Sequence, residues 1–169
     1  MSRSKLDIVA NVAIIATCVI ASTVLVRREL FPPRPEPPPG SVVAGDHIET
    51  LRTAVPAGAD KALVLAIAPG CHFCNDSMGF YKQLIDQRDS AKSPVKVVAA
   101  VASPDAKTGE EGKLASQGVK PDAVVQIDFQ KAKVPGTPTV MLVDKQGKVL
   151  SVWVGLLDAS GQREVLKAL

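Results

Sequence analysis

The strongest constraint on the fold is an apolar run that ends at two closely spaced cysteines. Residues 61–69, KALVLAIAP, form a continuous apolar run after Lys61, which is typical of a strand buried on both faces. Cys71 and Cys74 follow directly, and from Phe73 onward apolar residues recur at helical spacing as far as Ile85. The sequence therefore predicts a strand that delivers a Cys-x-x-Cys pair to the start of a helix.

The remainder of the C-terminal region continues this alternation. We predict further elements at 95–103 (strand), 106–117 (helix), 123–128 (strand), 139–144 and 148–155 (strands) and 158–169 (amphipathic helix). The last two strands flank Lys145-Gln146-Gly147, which is a hairpin signal. This order predicts an α/β fold in which helices flank a central mixed β-sheet.

A second apolar segment lies near the N-terminus. Residues 6–26 are nearly all apolar, and about 20 such residues span the hydrocarbon core of a bilayer. We predict one N-terminal transmembrane helix here, in which Cys18 packs as a small apolar residue. A cleaved signal peptide is the competing interpretation, with Ala21-Ser22-Thr23 as its best cleavage site. Basic residues flank both ends of the segment, so the positive-inside rule gives no orientation.

A proline tract separates this segment from the rest of the chain. Residues 31–40, FPPRPEPPPG, contain six prolines and predict a polyproline-like spacer of ~3.1 Å per residue. A ligand for SH3-type domains is the alternative interpretation of the tract. We therefore divide the chain into an anchor with a short flank (1–30), a proline-rich linker (31–44) and a folded domain (45–169).

The charge distribution excludes one class of partner. The formal net charge is +3, from 20 basic and 17 acidic residues. Residues 1–40 hold five basic and three acidic side chains, which leaves fifteen basic and fourteen acidic in 41–169. The domain has no charge excess of the kind that binds nucleic acid, so we expect no nucleic-acid partner.

The position of the cysteine pair indicates redox chemistry. A thiol at a helix N-terminus faces unpaired backbone N–H groups, which favour the thiolate and lower the pKa of Cys71. Cys74, one turn later, is within disulfide-bonding reach and can resolve a mixed disulfide. His72 can add positive charge beside Cys71 and tune the pair, or it is an ordinary exposed histidine.

Other uses of two cysteines fit less well. A structural zinc site needs four ligands, and the only other histidine, His47, is far upstream in a polar stretch. Haem attachment requires histidine directly after the second cysteine, where this chain has Asn75. A purely structural disulfide that closes so short a loop removes little entropy from the unfolded chain, so it would stabilise the fold only weakly. We therefore expect no metal, and no cofactor other than the Cys71–Cys74 disulfide itself.

A second motif carries a family resemblance. VPGTPTVMLVDKQGKVLSVWVG, residues 134–155, runs Gly-Thr-Pro-Thr into a strand, a turn and another strand. Together with the Cys-x-x-Cys pair, it resembles the thioredoxin superfamily over residues 45–169, and most closely the membrane-tethered thiol-disulfide oxidoreductases of bacteria. The resemblance implies a thioredoxin-like fold and a cis peptide bond at Pro138 beside the cysteines. It also implies that Thr137 offers backbone groups to a bound substrate chain.

The resemblance implies a membrane-tethered thiol-disulfide oxidoreductase acting on protein thiols and disulfides. We expect a single-pass protein whose domain is extracytoplasmic, on the periplasmic side, with a membrane redox partner; a domain facing the cytoplasm is the alternative. Thioredoxins proper carry Trp before the first cysteine and bury an acid six residues before it, where this chain has Gly70 and Leu65. These departures motivate a second hypothesis, a thioredoxin-fold binding or assembly module without turnover.

Overall fold

The computed structural model describes residues 3–30 and 37–169, with side chains at 11–23, 25–26 and 37–169. By its internal contacts the chain forms two units, Met1–Glu36 and Pro37–Leu169. Residues 31–36 of the predicted linker lie outside the described residues.

The described residues of the first unit form helix α1 (Arg3–Leu30). Its described side chains include exposed valine, isoleucine and leucine residues, and the hydroxyls of Thr17 and Thr23 donate to the carbonyls of Ala13 and Val19. Within the described part of the chain, no helix is both long enough and apolar enough to cross a membrane.

The second unit is a five-stranded mixed sheet flanked by helices, as predicted. The elements are α2 (Glu49–Arg52), β1 (Lys61–Ala66), α3 (His72–Asp76), α4 (Met78–Ala91), β2 (Lys96–Val101), α5 (Pro104–Ser116), β3 (Ala123–Gln126), β4 (Thr139–Asp144), β5 (Val149–Val154) and α6 (Ala159–Leu166). Strand order is β3-β2-β1-β4-β5, in which β1, β2 and β3 are parallel and β4 and β5 are antiparallel to their neighbours.

The apolar runs are explained by burial on both faces of the sheet. Every residue of β1 after Lys61 is buried. Leu63 and Leu65 belong to the core cluster that contains Cys74, whereas Val64 belongs to a second cluster on the opposite side. A central strand covered on both sides has no polar face, which is why its sequence does not alternate.

The hairpin between β4 and β5 is confirmed, and its geometry explains why residue 147 is glycine. Gly147 has a φ of +80°, and a Cβ atom built on it would lie 2.6 Å from the carbonyl oxygen of Ile48. Ile48 in turn donates its N–H to the Gly147 carbonyl. The turn therefore needs glycine for both its conformation and its close contact with the segment before α2.

Two local features differ from the predicted pattern. The helix expected from Phe73 onward is divided at Ser77 into the short α3 and the longer α4. The Ser77 hydroxyl donates to the Phe73 carbonyl at 2.8 Å, a local bond that competes with regular helix geometry and accompanies bends. Val42, within the predicted linker, is fully buried and donates its N–H to the Lys133 carbonyl.

Candidate active site

The two cysteines lie where the sheet meets its first long helical segment. After β1 the chain turns at Gly70, whose φ is +70°, and Cys71 caps the N-terminus of α3. Cys71 and Cys74 form a disulfide with their Cα atoms 5.2 Å apart. The strand-to-helix placement predicted from the sequence is therefore observed.

The two sulfur atoms have different surroundings. Cys71 is partly exposed, whereas Cys74 is fully buried in the core. The Cys71 Sγ accepts the backbone N–H of Cys74 at 3.1 Å, so it occupies the position of a capping oxygen. A sulfur that already receives an N–H is prepared to carry negative charge, and it is the one that an incoming disulfide can reach.

The Gly-Thr-Pro-Thr motif meets the cysteine pair directly. The Thr137–Pro138 peptide bond is cis, as the resemblance implied, and the Thr137 carbonyl oxygen lies 3.4 Å from the Cys71 Sγ. Gly155 donates its N–H to the Pro138 carbonyl at 2.8 Å, and the Thr139 hydroxyl donates to the Gly136 carbonyl at 2.8 Å. These bonds fix the loop against the end of β5 and hold Thr137 beside Cys71.

The predicted tuning residue lies on the surface. The His72 side chain is 81% exposed, and its Nε2 lies 3.4 Å from the Asp76 carboxylate, one helical turn away. Its ring also lies beside that of Phe73, with centroids 5.8 Å apart. Phe73 is 53% exposed, so it is a surface residue of the site and not part of the core.

This geometry agrees with comparisons to known proteins. Residues 49–169 match a family described as a thioredoxin-like domain, which is more than half of the chain. The chain belongs to the thioredoxin-like domain family. A comparison with curated proteins gives no significant match.

Solved structures agree with the thioredoxin-like fold. A DsbF homologue from Corynebacterium diphtheriae is similar at 17% identity and a TM-score of 0.50, over 65% of this chain and 72% of that one. StoA from Bacillus subtilis is similar at 16% identity and a TM-score of 0.50, over 74% of this chain and 98% of that one. At these identities the likeness concerns the fold alone.

The departures noted in the sequence have clear positions in this thioredoxin-like domain. Leu65 is buried in β1, where its side chain shares the core cluster of Cys74.

Among the described residues no group of three or more His, Cys, Asp or Glu side chains could hold a metal ion. His47 lies at the protein surface opposite Lys148 in an isolated β-bridge, away from the helical segment that carries the cysteines.

Three residues near the pair were not assigned a role from the sequence. Asp76 is the carboxylate that faces His72, at the i+4 spacing that a helix brings together. Ser77 and Tyr81 follow Cys74 by three and seven positions, and both are buried. Their helical spacing was visible in the sequence, but Ser77 carries no apolar signal and Tyr81 was counted only as core.

Proposed function

We propose that the protein is a thiol-disulfide oxidoreductase that exchanges disulfides with protein substrates through Cys71 and Cys74. The observation that carries the proposal is the asymmetric pair: a partly exposed Cys71 Sγ that accepts an N–H, bonded to a fully buried Cys74. The exposed sulfur is the nucleophile and the buried one is the resolving thiol. This division of roles is the physical requirement of disulfide exchange.

The reaction proceeds in two exchanges. The Cys71 thiolate attacks one sulfur of the substrate disulfide, forming a mixed disulfide and releasing the other substrate sulfur, which takes up a proton. Cys74 then attacks the Cys71 sulfur, forming the Cys71–Cys74 disulfide and releasing the second substrate thiol. The substrate is reduced and the cysteine pair is oxidised; the reverse sequence oxidises a substrate dithiol.

The surface beside Cys71 fits a polypeptide substrate. The backbone of Thr137 borders the Cys71 sulfur. Two large apolar side chains are exposed nearby in the chain: Phe73 of α3 is 53% exposed, and Leu156, just after β5, is 48% exposed. Leu156 follows Gly155, which is bonded to Pro138. An extended substrate segment can contact Thr137 through its backbone while its side chains cover Phe73 and Leu156.

Reduction of insulin disulfides, with dithiothreitol as electron source, tests the proposal. Replacing Cys71 by Ser removes the nucleophile, and we expect catalysed reduction to be abolished. Cys18→Ser is the matched control, because it removes a thiol outside the domain and should retain full activity. Activity retained in Cys71→Ser would contradict the assignment.

The binding-module hypothesis makes the opposite prediction. It is motivated by Leu65, which leaves an apolar side chain where thioredoxins bury an acid. A protein of this kind would bind polypeptides with no turnover, and its Cys71 thiol would titrate near the unperturbed pKa of about 8.5. A lowered pKa of Cys71 together with insulin reduction excludes that hypothesis.

We also propose that His72 tunes the pair when it is protonated. Its imidazolium would favour the Cys71 thiolate, while Asp76 at 3.4 Å offsets part of that charge. Because His72 is largely exposed, solvent screens the effect, which should be small. The reduction potential of His72→Ala, compared with the parent, measures it; an unchanged potential would remove His72 from the site.

We propose further that residues 6–26 anchor the protein in a membrane, with the domain on the periplasmic side. The described part of α1 exposes large apolar side chains such as Val12, Ile15 and Ile20, and the hydroxyls of Thr17 and Thr23 are bonded within the helix, so they require no water. An extracytoplasmic redox domain needs a membrane partner to exchange electrons with the cell. Topology reporters fused to the C-terminus, with membrane fractionation, test both the anchor and the orientation.

A further inference from the structure

The loop around Thr137 is fixed on its C-terminal side by hydrogen bonds from Gly155 and Thr139. On its N-terminal side the loop follows a tight turn that ends at Lys133, four residues before Thr137. The three intervening residues include Pro135, whose ring restricts the backbone. The conformation of Lys133 therefore sets the direction from which the chain enters the loop.

Lys133 has a backbone conformation that lysine does not prefer. Its φ is +53°, in the left-handed region. The N–H groups of Lys133 and Val134 donate to the carbonyls of Gln130 at 3.0 Å and Phe129 at 2.9 Å. This pattern closes a helical turn, and glycine is the usual residue at the position that Lys133 occupies. A lysine at this position needs contacts that outweigh its preference for negative φ.

Two residues of the segment before α2, Val42 and Asp46, supply such contacts; we call them the N-terminal clamp. The Val42 N–H donates to the Lys133 carbonyl at 2.8 Å, and the Lys133 Nζ donates to the Asp46 carboxylate at 3.3 Å. Val42 is fully buried in the core cluster that contains Ala132, and Val134 packs against the same cluster. The clamp therefore binds Lys133 through both its backbone and its side chain.

The clamp is itself attached to the sheet. The Gly45 N–H donates to the carbonyl of Val149, the first residue of β5, and the Val149 N–H donates to the Asp46 carbonyl, both at 2.8 Å. Asp46 thus joins β5 through its backbone and Lys133 through its side chain. The family match begins at residue 49, so both clamp residues precede the region that defines the family.

We propose that Val42 and Asp46 are positioning residues for polypeptide substrates: by holding Lys133 at positive φ, they keep Thr137 in place for the backbone of a bound chain. When the clamp is released, Lys133 relaxes toward negative φ and the competent loop conformation becomes a minor one. The apparent affinity for a polypeptide then falls by the fraction that remains competent. The inference rests on the proposed oxidoreductase function.

Two substrates of different chemistry test the proposal on the full-length protein. Insulin is a polypeptide whose backbone would contact Thr137, whereas dithiobis(nitrobenzoic acid) is a disulfide without a peptide backbone. All variants carry Cys18→Ser, so that only the redox pair reacts. Val42→Asn places a polar amide in an apolar environment and releases the clamp. Val43→Asn makes the same change at the neighbouring position, which is 47% exposed, and is the matched control.

We expect Val42→Asn to raise the KM for insulin about three- to tenfold, with kcat unchanged. That range corresponds to a competent fraction of about one third to one tenth. The rate at which the reduced protein reacts with dithiobis(nitrobenzoic acid) should equal that of the parent, because the cysteine pair is untouched. Val43→Asn should match the parent with both substrates.

A second substitution at Lys133 gives a readout that a loss of core packing would not move. Asparagine adopts the left-handed conformation more readily than lysine. Adding Lys133→Asn to Val42→Asn should therefore recover most of the lost affinity for insulin. Lys92→Asn should recover none, although Lys92 has a φ of +52° at the C-terminus of α4. A KM that stays raised when Lys133→Asn is added would contradict the role assigned to Lys133.

A parental KM for insulin in folded Val42→Asn would overturn the inference. Where thermal unfolding shows that Val42→Asn does not fold, Asp46→Lys tests the same contact at a side chain that is 23% exposed. It sets two lysines against each other and should raise the KM at least about twofold, whereas Asp46→Glu keeps the charge and should match the parent. An unchanged KM in Asp46→Lys would equally overturn the inference. A parent that reduces neither substrate would instead contradict the proposed function, so the two failures are distinguishable.

Discussion

Asp122 anchors the end of α4, the helix that follows the redox pair, and its replacement by Asn should destabilise the domain by a measurable amount. Its carboxylate accepts the Val97 N–H at 2.8 Å and pairs with both Arg88 and Lys96. Arg88 belongs to α4 and is only 8% exposed, whereas Val97 belongs to β2. One side chain therefore ties the C-terminal part of α4 to the sheet.

The expected cost follows from these three contacts. Asn can still accept the Val97 N–H, but exchanging a charged acceptor for a neutral one costs about 1 kcal/mol. Breaking a buried ion pair costs about 3–5 kcal/mol, but Arg88 keeps Asp89 at 2.7 Å and the Asp122 side chain is 19% exposed, so we assign about 1 kcal/mol. Losing the ion pair with the exposed Lys96 adds little to the free-energy cost of the substitution. A total of about 2 kcal/mol lowers the unfolding temperature by roughly 6–8 °C for a domain of this size.

Fluorescence of Trp153, the only tryptophan, reports unfolding by heat or urea. Asp89→Asn is the matched control, because it removes the 62%-exposed partner of the same arginine and should cost less than about 0.5 kcal/mol. An equal loss of unfolding free energy in the two variants, or no loss in Asp122→Asn, would refute the conclusion that Asp122 ties α4 to β2.

The same carboxylate predicts a dependence of stability on pH. Burial by itself would raise the pKa of Asp122, but the Val97 N–H, Lys96 and Arg88 outweigh it and hold the pKa below 3.8. The stabilisation is therefore complete above the unfolded pKa of 3.8 and is lost as the pH falls below it. In this acid range the unfolding free energy of Asp122→Asn should depend less steeply on pH than that of the parent. An identical dependence in the two proteins would contradict the lowered pKa of Asp122.

Three further predictions concern the site. Cys74→Ala, lacking the resolving thiol, should accumulate a mixed disulfide at Cys71 with a protein substrate, visible on non-reducing gels and by mass spectrometry; absence of the adduct would contradict the roles assigned to the two cysteines. Asp76→Asn removes a negative charge beside His72 and should speed alkylation of Cys71 near neutral pH. We expect an increase of less than about threefold, because His72 and Asp76 are both exposed. Slower alkylation would contradict the proposal that Asp76 offsets the positive charge near Cys71. Phe73→Ser and Leu156→Ser should slow reduction of insulin but leave glutathione disulfide unaffected; equal slowing of both substrates would show that these side chains do not contact the polypeptide.

The mixed sheet could be predicted because its strands are long apolar runs separated by helical patterns and a clear hairpin. The redox pair could be predicted because a Cys-x-x-Cys motif at the end of such a run has few other uses. Both signals are local in the chain. The Thr137–Pro138 contact needed the family resemblance, since nothing in residues 134–155 alone indicates that they pack against Cys71.

The division of the helix predicted after Cys71 into α3 and α4 was not predicted. Apolar periodicity detects which side chains are buried, but it does not detect which group donates a hydrogen bond to a backbone carbonyl. The chain leaves helical geometry at Ser77, whose hydroxyl donates to the Phe73 carbonyl, yet Ser77 is as buried as an apolar residue at that position would be. The same reasoning applies to α5, whose sequence is mainly polar. Its buried face is Ala106, Glu110 and Leu114, so one of three buried positions carries a charge that a hydrophobic pattern would not place there.

Buried polar groups are therefore the part of this domain that sequence patterns describe least. Cys74 lies in a core that would strongly disfavour its thiolate if every neighbour were apolar, as Leu65 is. A thioredoxin-like domain with leucine at that position must find its polar support among residues that pack as core. Ser77, Tyr81 and Glu110 are buried residues of this kind, because each carries polar atoms in a part of the domain that packs as core.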